Sequence, residues 1–287
     1  MSLEQARAIA AAMRAAPKGL PLEVRRAGFE ARFGALSLPE DARFEPVEFA
    51  AGLTGLRVSL PDSDPTRVLL WFHGGAFVLG SSASWRRFAC DVAAASGVTV
   101  LLPDYRLAPE HPFPAAHHDA LAACAWLDAQ GIPPEQRAIG GDSAGGNLAL
   151  GALAAGAGRF AAAWLISPYL DLTNAGASIV ERRARDAFVD PDDGTNLRWL
   201  GDADPRDPRA SPLFGDLAAL PPSLVQVGSE EVLYDDARRL ADASRAVVFQ
   251  EWVGQGHVFP LFAPQLDEGG QAIAQGGAFL RTQLGVA

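Results

Sequence analysis

Six short, mainly apolar runs recur through the chain from residue 68 onward, and segments of helical length separate most of them. The runs cover residues 68–72, 98–102, 138–140, 163–166, 224–227 and 247–252. A strand that is apolar on both faces is buried on both faces, which is typical of a parallel sheet covered by helices on each side. The segments predicted to form these helices are residues 87–96, 115–130, 144–156, 232–244 and 268–284. The sequence therefore predicts an α/β fold with a mostly parallel central sheet.

Two patterns near the N-terminus add to this plan. Residues 44–49 and 53–60 alternate apolar and polar side chains around Ala51 and Gly52, which predicts an antiparallel hairpin. Residues 3–16 carry apolar side chains at helical spacing, which predicts a short amphipathic helix.

The stretch 168–215 breaks the alternation of strands and helices. It is rich in Asp, Arg, Pro and Gly, with only short helical candidates at 177–185 and 195–200. An irregular stretch of this length inside a compact domain is more often a functional lid than a plain connection. We therefore expect a single domain of residues 1–287, with a cap formed by about residues 1–40 and about 168–215.

The overall charge argues against one broad class of partner. The formal net charge is −10, and no cluster of Lys and Arg offers a compensating patch. A phosphate backbone repels such a surface, so we expect no nucleic-acid partner.

Three observations bear on the location of the protein. Cys90 and Cys124 are the two cysteines, and their apolar helical surroundings predict buried, reduced thiols. Glu4, Arg7 and Arg14 interrupt the N-terminal apolar stretch, which therefore lacks the uninterrupted core of a signal peptide. No apolar run approaches the roughly 18 residues of a membrane span. These features predict a cytoplasmic protein without a membrane span.

A Gly-x-Ser-x-Gly sequence places Ser143 between a short predicted strand and the predicted helix 144–156. A serine at such a turn is exposed in strained backbone geometry, and the residues two places before and after it crowd together. Gly141 and Gly145 fill those two crowded positions. The N-terminus of the following helix also favours negative charge that develops nearby. Ser143 is therefore the candidate nucleophile.

A His-Gly-Gly sequence at residues 73–75 follows the predicted strand 68–72. Acyl transfer builds negative charge on a carbonyl oxygen, and fixed backbone N–H groups stabilise that charge. Because glycine lets the main chain approach a substrate closely, the N–H groups of Gly74 and Gly75 are candidate oxyanion-hole donors, with that of Ala144 as the third. We expect His73 to shape this loop rather than to transfer protons.

His257 is the candidate general base. It alone among the five histidines follows the last apolar run, on a glycine-containing loop. In hydrolases with a nucleophile at such a turn, the chain order is nucleophile, acid, histidine. The neutral imidazole would accept the proton of the serine and later return one to the leaving alcohol.

A second group of polar residues, His117, His118 and Asp119, raises the question of a metal site. Adjacent side chains on a helix point in divergent directions, so two such histidines rarely share one ion. We expect a solvated helix start here and no bound metal.

The acid that orients the histidine is predicted after the run 224–227, where Glu230, Glu231 and Asp235 lie. A carboxylate there would hold the tautomer of the histidine and stabilise its protonated form. Each of these residues is also consistent with a helix-start acid that complements the helix dipole. The residues alone leave the three candidates open.

Together these motifs resemble the bacterial hormone-sensitive-lipase-like esterases of the α/β-hydrolase fold. The resemblance spans about residues 40–285. Its motifs, in family order, are His-Gly-Gly at 73–75, Asp-Tyr-Arg-Leu-Ala-Pro-Glu at 104–110, Phe-Pro-Ala at 113–115 and Gly-Asp-Ser-Ala-Gly-Gly at 141–146, with later matches at 167–168, 228–235 and 256–257. One departure is Ala76, where the family often has a third glycine, and its methyl group would narrow the site.

The resemblance implies an α/β-hydrolase sheet under a cap, no metal or organic cofactor, and hydrolysis of small carboxylic esters with short-to-medium acyl chains. It places the triad acid three residues after Gly228, at Glu231, where the family most often has Asp. It also implies a homodimer, which nothing in the sequence itself shows.

Two rival interpretations remain at this point. Some proteins that resemble this family have lost the histidine and act as small-molecule receptors, but His257 and Ser143 are both present here. The same triad chemistry also serves amides, formamides and thioesters, and no residue excludes them. We expect an ester hydrolase because esters are easier to cleave and dominate the resembled family.

Overall fold

The computed structural model describes residues 2–191 and 194–286. Within these residues one eight-stranded sheet forms the centre of the molecule. Its strands in chain order are β1 (Arg43–Ala50), β2 (Leu53–Ser59), β3 (Asp64–Phe72), β4 (Val98–Pro103), β5 (Arg137–Asp142), β6 (Ala162–Ile166), β7 (Ser223–Gly228) and β8 (Val247–Trp252). The spatial order is β1-β2-β4-β3-β5-β6-β7-β8. The β1–β2 and β2–β4 pairs are antiparallel, and every other neighbouring pair is parallel.

Helices cover both faces of this sheet. The described helices are α1 (Ser2–Ala15), α2 (Leu22–Phe33), α3 (Arg86–Ser96), α4 (Ala115–Ala129), α5 (Ala144–Ala154), α6 (Ser178–Glu181), α7 (Thr195–Leu200), α8 (Tyr234–Ala243) and α9 (Asp267–Leu284). Side chains of β3 alternate between two cores: Leu69 packs in a cluster with residues of α3 and α9, and Leu70 in one with residues of α4, α5 and α8. The predicted α/β fold with helices on both faces is confirmed.

The structure departs from the predictions in three places. Helix α2 was not predicted, because only Phe33 of its apolar side chains is fully buried and the helical pattern is weak. The helix predicted at 177–185 is only the single turn α6. The expectation of a solvated helix start at 117–119 is wrong, because His117 is buried between helices and Asp119 is buried in an ion pair with Arg106.

Both cysteines are free and buried, as predicted. Among the helices of the described ranges, none is both long and apolar enough to cross a membrane. The cytoplasmic location and the homodimer stay predictions.

Candidate active site

Ser143 lies at the turn between β5 and α5, with backbone angles φ 52° and ψ −118°. A non-glycine residue seldom occupies this region, and holding it there costs free energy of order 1–3 kcal/mol. The N–H of Ser143 donates to the carbonyl of Ile166 in β6 at 2.9 Å, and its own carbonyl accepts from Tyr169 at 3.1 Å. The strained turn at Ser143 is thus held by hydrogen bonds to β6 and to the segment that follows it.

The two flanking glycines meet a steric requirement. A Cβ atom at Gly141 would collide with the backbone of Gly145, and one at Gly145 would collide with the carbonyl of Phe72. The crowding predicted from the Gly-x-Ser-x-Gly spacing is therefore present, and it involves β3 as well as the turn itself.

A continuous chain of hydrogen bonds joins Ser143, His257 and Glu231. His257 Nε2 lies 2.9 Å from Ser143 Oγ, and His257 Nδ1 lies 2.8 Å from Glu231 Oε2. Glu231 is wholly buried, and Ser143 and His257 are each 9% exposed. The structure thus brings together the three residues predicted as nucleophile, base and acid, although more than a hundred residues separate Ser143 from His257.

The second oxygen of Glu231 is also fixed. Its Oε1 accepts a hydrogen bond from the Gly228 N–H at 2.6 Å and another from Ser167 Oγ at 2.7 Å. Ser167 Oγ in turn accepts from the Val258 N–H at 3.0 Å, next to His257. Ser167 therefore links the acid loop to the histidine loop, and its match to the family motif was the only sequence signal for it.

The two other candidate acids have different partners. Glu230 Oε1 accepts a hydrogen bond from Ser229 Oγ at 2.9 Å, and Asp235 Oδ2 accepts from the Ser178 N–H at 2.9 Å. Neither forms a hydrogen bond with His257, so the geometry favours Glu231.

The charges around His257 favour its protonated form. Burial by itself would lower the pKa of the imidazole. The hydrogen bond and charge of Glu231, with the charges of Asp186 and Asp142, outweigh burial and raise the pKa above its ordinary value of 6.5. A protonated imidazole is the form that follows transfer of a proton from Ser143, so this environment supports charge separation.

Asp142, next to Ser143, is buried beneath the loop that follows β3. Its Oδ1 accepts hydrogen bonds from Trp71 Nε1 at 3.0 Å and Trp85 Nε1 at 2.9 Å. Burial raises the pKa of this carboxyl to about 7, although both indoles, the His257 charge and the Gly74 N–H oppose the rise. The carboxyl therefore braces two aromatic side chains and the His-Gly-Gly loop from below.

The backbone of that loop has unusual angles at three successive residues. Gly75 has φ 112°, Ala76 φ 54° and Phe77 φ 60°. Gly75 and Ala76 line the cavity that contains Ser143, whereas Gly74 does not line it. Because Gly74 does not line the cavity, its role as an oxyanion donor stays a prediction.

His73 has the structural position expected of it. Its ring stacks on Tyr105 with centroids 4.2 Å apart, and Nδ1 lies 2.7 Å from the Gly74 carbonyl. The Tyr105 hydroxyl donates to the His73 carbonyl at 2.7 Å. Both residues hold the loop from behind, and neither lines the cavity with Ser143.

The cavity that contains Ser143 and His257 has a volume of about 440 Å³. Its walls come from α2 and the segment before it, from the loop after β3, and from the stretch 168–215. Most of the wall is apolar, and representative contributors are Leu20, Val24, Phe29, Ile179, Phe188 and Val189. Residues from both regions predicted to form a cap therefore face the triad.

Comparison with known proteins places this arrangement in a family. A family model described as alpha/beta hydrolase fold matches residues 69–261, well over half of the chain, and the match includes Ser143, Glu231 and His257. The chain belongs to the α/β hydrolase family. As a member of that family it is a hydrolytic enzyme.

Individual relatives show which members of the family this α/β hydrolase resembles. An acetyl-hydrolase of Streptomyces hygroscopicus is 47% identical over 235 residues, which cover 78% of this chain and 79% of the relative. A crystal structure of an esterase from the bacterial hormone-sensitive lipase family has a TM-score of 0.93 at 37% identity, covering 99% of this chain and 98% of the other. The EstE5 crystal soaked with p-nitrophenyl butyrate has a TM-score of 0.92 at 37% identity, with coverage of 98% and 99%. The resemblance to the bacterial hormone-sensitive-lipase-like esterases is confirmed.

Proposed function

We propose that this α/β hydrolase cleaves carboxylic esters through a Ser143–His257–Glu231 triad and an acyl-enzyme intermediate. The observation that carries the proposal is the hydrogen-bonded chain from Ser143 Oγ through His257 to the buried Glu231, at the wall of a largely apolar cavity. Such a chain activates a hydroxyl that is a weak nucleophile by itself.

In the first half of the reaction, Ser143 Oγ attacks the ester carbonyl carbon while His257 Nε2 takes the hydroxyl proton. The resulting tetrahedral intermediate collapses when the bond to the alcohol oxygen breaks, and His257 returns its proton to that alcohol. In the second half, water attacks the acyl-serine, His257 accepts a proton from the water, and Ser143 recovers its proton as the acid leaves. Glu231 keeps the imidazole oriented and stabilises its charge throughout.

For the oxyanion hole we propose the N–H groups of Gly75, Ala76 and Ala144. Gly75 and Ala76 line the cavity with Ser143, and Ala144 opens α5 directly after the nucleophile. A backbone N–H donor needs no side chain, so the alanine at position 76 retains the donor that a glycine there would supply.

We also propose that residues of about 1–40 and about 168–215 act as a cap that selects the acyl group. They supply most of the apolar wall, and cavities of a few hundred cubic ångströms hold ligands of drug size. A short-to-medium acyl chain fits this volume, and the expected partner is a small ester.

The test is a series of initial rates on p-nitrophenyl esters from acetate to palmitate. We expect serine-dependent hydrolysis that is fastest on a short or medium chain, as proposed for the acyl pocket. Purified, folded enzyme that hydrolyses none of these esters would contradict the proposal, and a maximum at palmitate would contradict the assignment of the acyl pocket.

The rate is also expected to depend on pH in a defined direction. His257 must be neutral to accept a proton, and its pKa is raised above 6.5 by its carboxylate neighbours. kcat/KM should therefore fall as pH decreases through that raised value, with a midpoint above 6.5. The measurement is kcat/KM on p-nitrophenyl butyrate at constant ionic strength.

Asp142 supplies the control for this pH profile, because the pKa of its carboxyl is about 7. An Asp142→Asn variant retains an oxygen that can accept from Trp71 and Trp85 but removes this ionisation. An acid limb that persists in the variant belongs to His257, whereas a limb that disappears would contradict the assignment.

A further inference from the structure

Asp186 is a buried carboxylate in the stretch between β6 and β7, and it accepts three backbone hydrogen bonds. Its Oδ1 accepts from the N–H groups of Phe188 at 2.8 Å and Val189 at 3.1 Å. Its Oδ2 accepts from the Val232 N–H at 2.9 Å. The side chain therefore joins two segments that lie 46 residues apart in sequence.

The bonds to Val232 and Phe188 each reach a neighbour of a triad residue. Val232 directly follows Glu231. The Phe188 ring packs against Gly256, which directly precedes His257, so closely that a Cβ at Gly256 would lie 2.5 Å from Phe188 Cε2. The Asp186 carboxylate thus binds the backbone of Val232, next to Glu231, and the backbone of Phe188, whose ring packs beside His257.

The same bonds fix part of the substrate cavity. Phe188 and Val189 both line the cavity that contains Ser143. Since Asp186 holds both backbone N–H groups, it sets the position of this wall relative to the triad.

The charge of Asp186 also acts on His257. The charged groups that favour protonated His257 are Glu231, Asp186 and Asp142, of which only Glu231 forms a hydrogen bond with the imidazole. Asp186 therefore acts on the base both through the backbone and through space.

We propose that Asp186 is a positioning residue for ester hydrolysis, which holds the Glu231 loop and the Phe188 wall in register with His257. The inference rests on the proposed function. It assigns to the stretch 168–215 a role in the chemical step in addition to any role in substrate selection.

The test is Asp186→Asn, which preserves size but removes the charge and one of the two acceptor oxygens. The backbone N–H groups of Phe188 and Val189, or that of Val232, then lose their acceptor, and a buried N–H without an acceptor is destabilising. We expect kcat/KM on p-nitrophenyl butyrate to fall about tenfold or more, mainly in kcat. We also expect the acid limb of the pH profile to move to lower pH, because the protonated imidazole loses part of its stabilisation.

Two control variants separate this effect from a general disturbance. Asp204→Asn makes the same change of charge in the same stretch, at an exposed residue whose carboxylate accepts from the Arg206 N–H. It should leave both the rate and the limb unchanged. Phe188→Ala removes the ring that packs against Gly256 but keeps the charge of Asp186, so it should lower the rate while leaving the acid limb unchanged.

The titration of His257 followed by imidazole NMR gives a readout that does not depend on turnover. The expected result for Asp186→Asn is a lower pKa of His257 than in wild type. An unchanged pKa together with an unchanged acid limb overturns the inference even if wild type is an active esterase. A wild type without esterase activity overturns the proposed function instead, and the NMR titration still decides the role of Asp186.

Folding is checked by circular dichroism and by thermal unfolding. Asp186→Ser provides a second variant without charge, whose hydroxyl can still accept one backbone bond, and it should shift the limb in the same direction. If both variants are unfolded, Asp186 belongs to the stability of the fold, and the proposed role in positioning is overturned.

Discussion

Ser143→Ala and His257→Ala are each expected to lower kcat by at least about 10⁴-fold, and the double variant should lose no more than either single variant. The hydroxyl and the imidazole act as one unit, because the serine is a weak nucleophile until the imidazole removes its proton. Removing either group therefore removes the same step. The measurement is kcat on p-nitrophenyl butyrate at high enzyme concentration.

Covalent labelling gives an independent readout of the same assignment. A sulfonyl fluoride should modify wild type once, as detected by the mass of the intact protein, and should not modify Ser143→Ala. His111→Ala, at an exposed histidine, is the matched control and should retain wild-type turnover. Near-wild-type turnover of His257→Ala would contradict the assignment of His257 as the base. The same holds if the loss of kcat in the double variant is the product of the two single losses.

Glu231→Gln is expected to lower kcat/KM by about 10²- to 10⁴-fold, which is the second-largest effect. Glutamine has the shape of glutamate but cannot stabilise a protonated imidazole. Its NH₂ group can also face His257 Nδ1 and favour the wrong tautomer. The hydrogen bonds from Ser167 and Gly228 to Glu231 Oε1 keep the side chain in place, so the variant should fold.

The neighbouring acids provide matched controls for Glu231. Glu230→Gln and Asp235→Asn make the same change of charge in the same loop region, and neither carboxylate forms a hydrogen bond with His257. Both variants should remain within about threefold of wild type, since surface and loop substitutions seldom change free energies by more than a few tenths of a kcal/mol. A loss at Asp235→Asn as large as that expected for Glu231→Gln would transfer the acid role to Asp235.

The sequence was sufficient for the parts of the fold that depend on strong local signals. The mainly apolar runs predicted the parallel strands because most of these strands, such as β4 to β7, are buried on both faces. The spacing of Gly141, Ser143 and Gly145 predicted the turn because contacts within a few residues impose it. The chain order of nucleophile, acid and histidine then singled out His257 from five candidates.

Other features depend on contacts between distant segments and leave little trace in the sequence. His117 and Asp119 look solvated by composition, but helix packing buries the first and Arg106 pairs with the second. Gly74 and Ala76 cannot be distinguished as donors without the loop backbone. Asp186 is one acid among many in an irregular stretch, and only its three backbone partners make it distinctive.

The reacting groups and the walls of the cavity come from different parts of the chain. Ser143, Glu231 and His257 follow strands of the sheet, whereas α2 and the stretch before β7 supply most of the apolar lining. Substitutions in the wall can therefore change substrate preference without replacing a reacting group. The carboxylate of Asp186 sets a limit on that freedom. If the stretch 168–215 were replaced by that of another enzyme, the new segment would need a hydrogen-bond acceptor at the position of Asp186. Without it, we expect His257 to be misaligned.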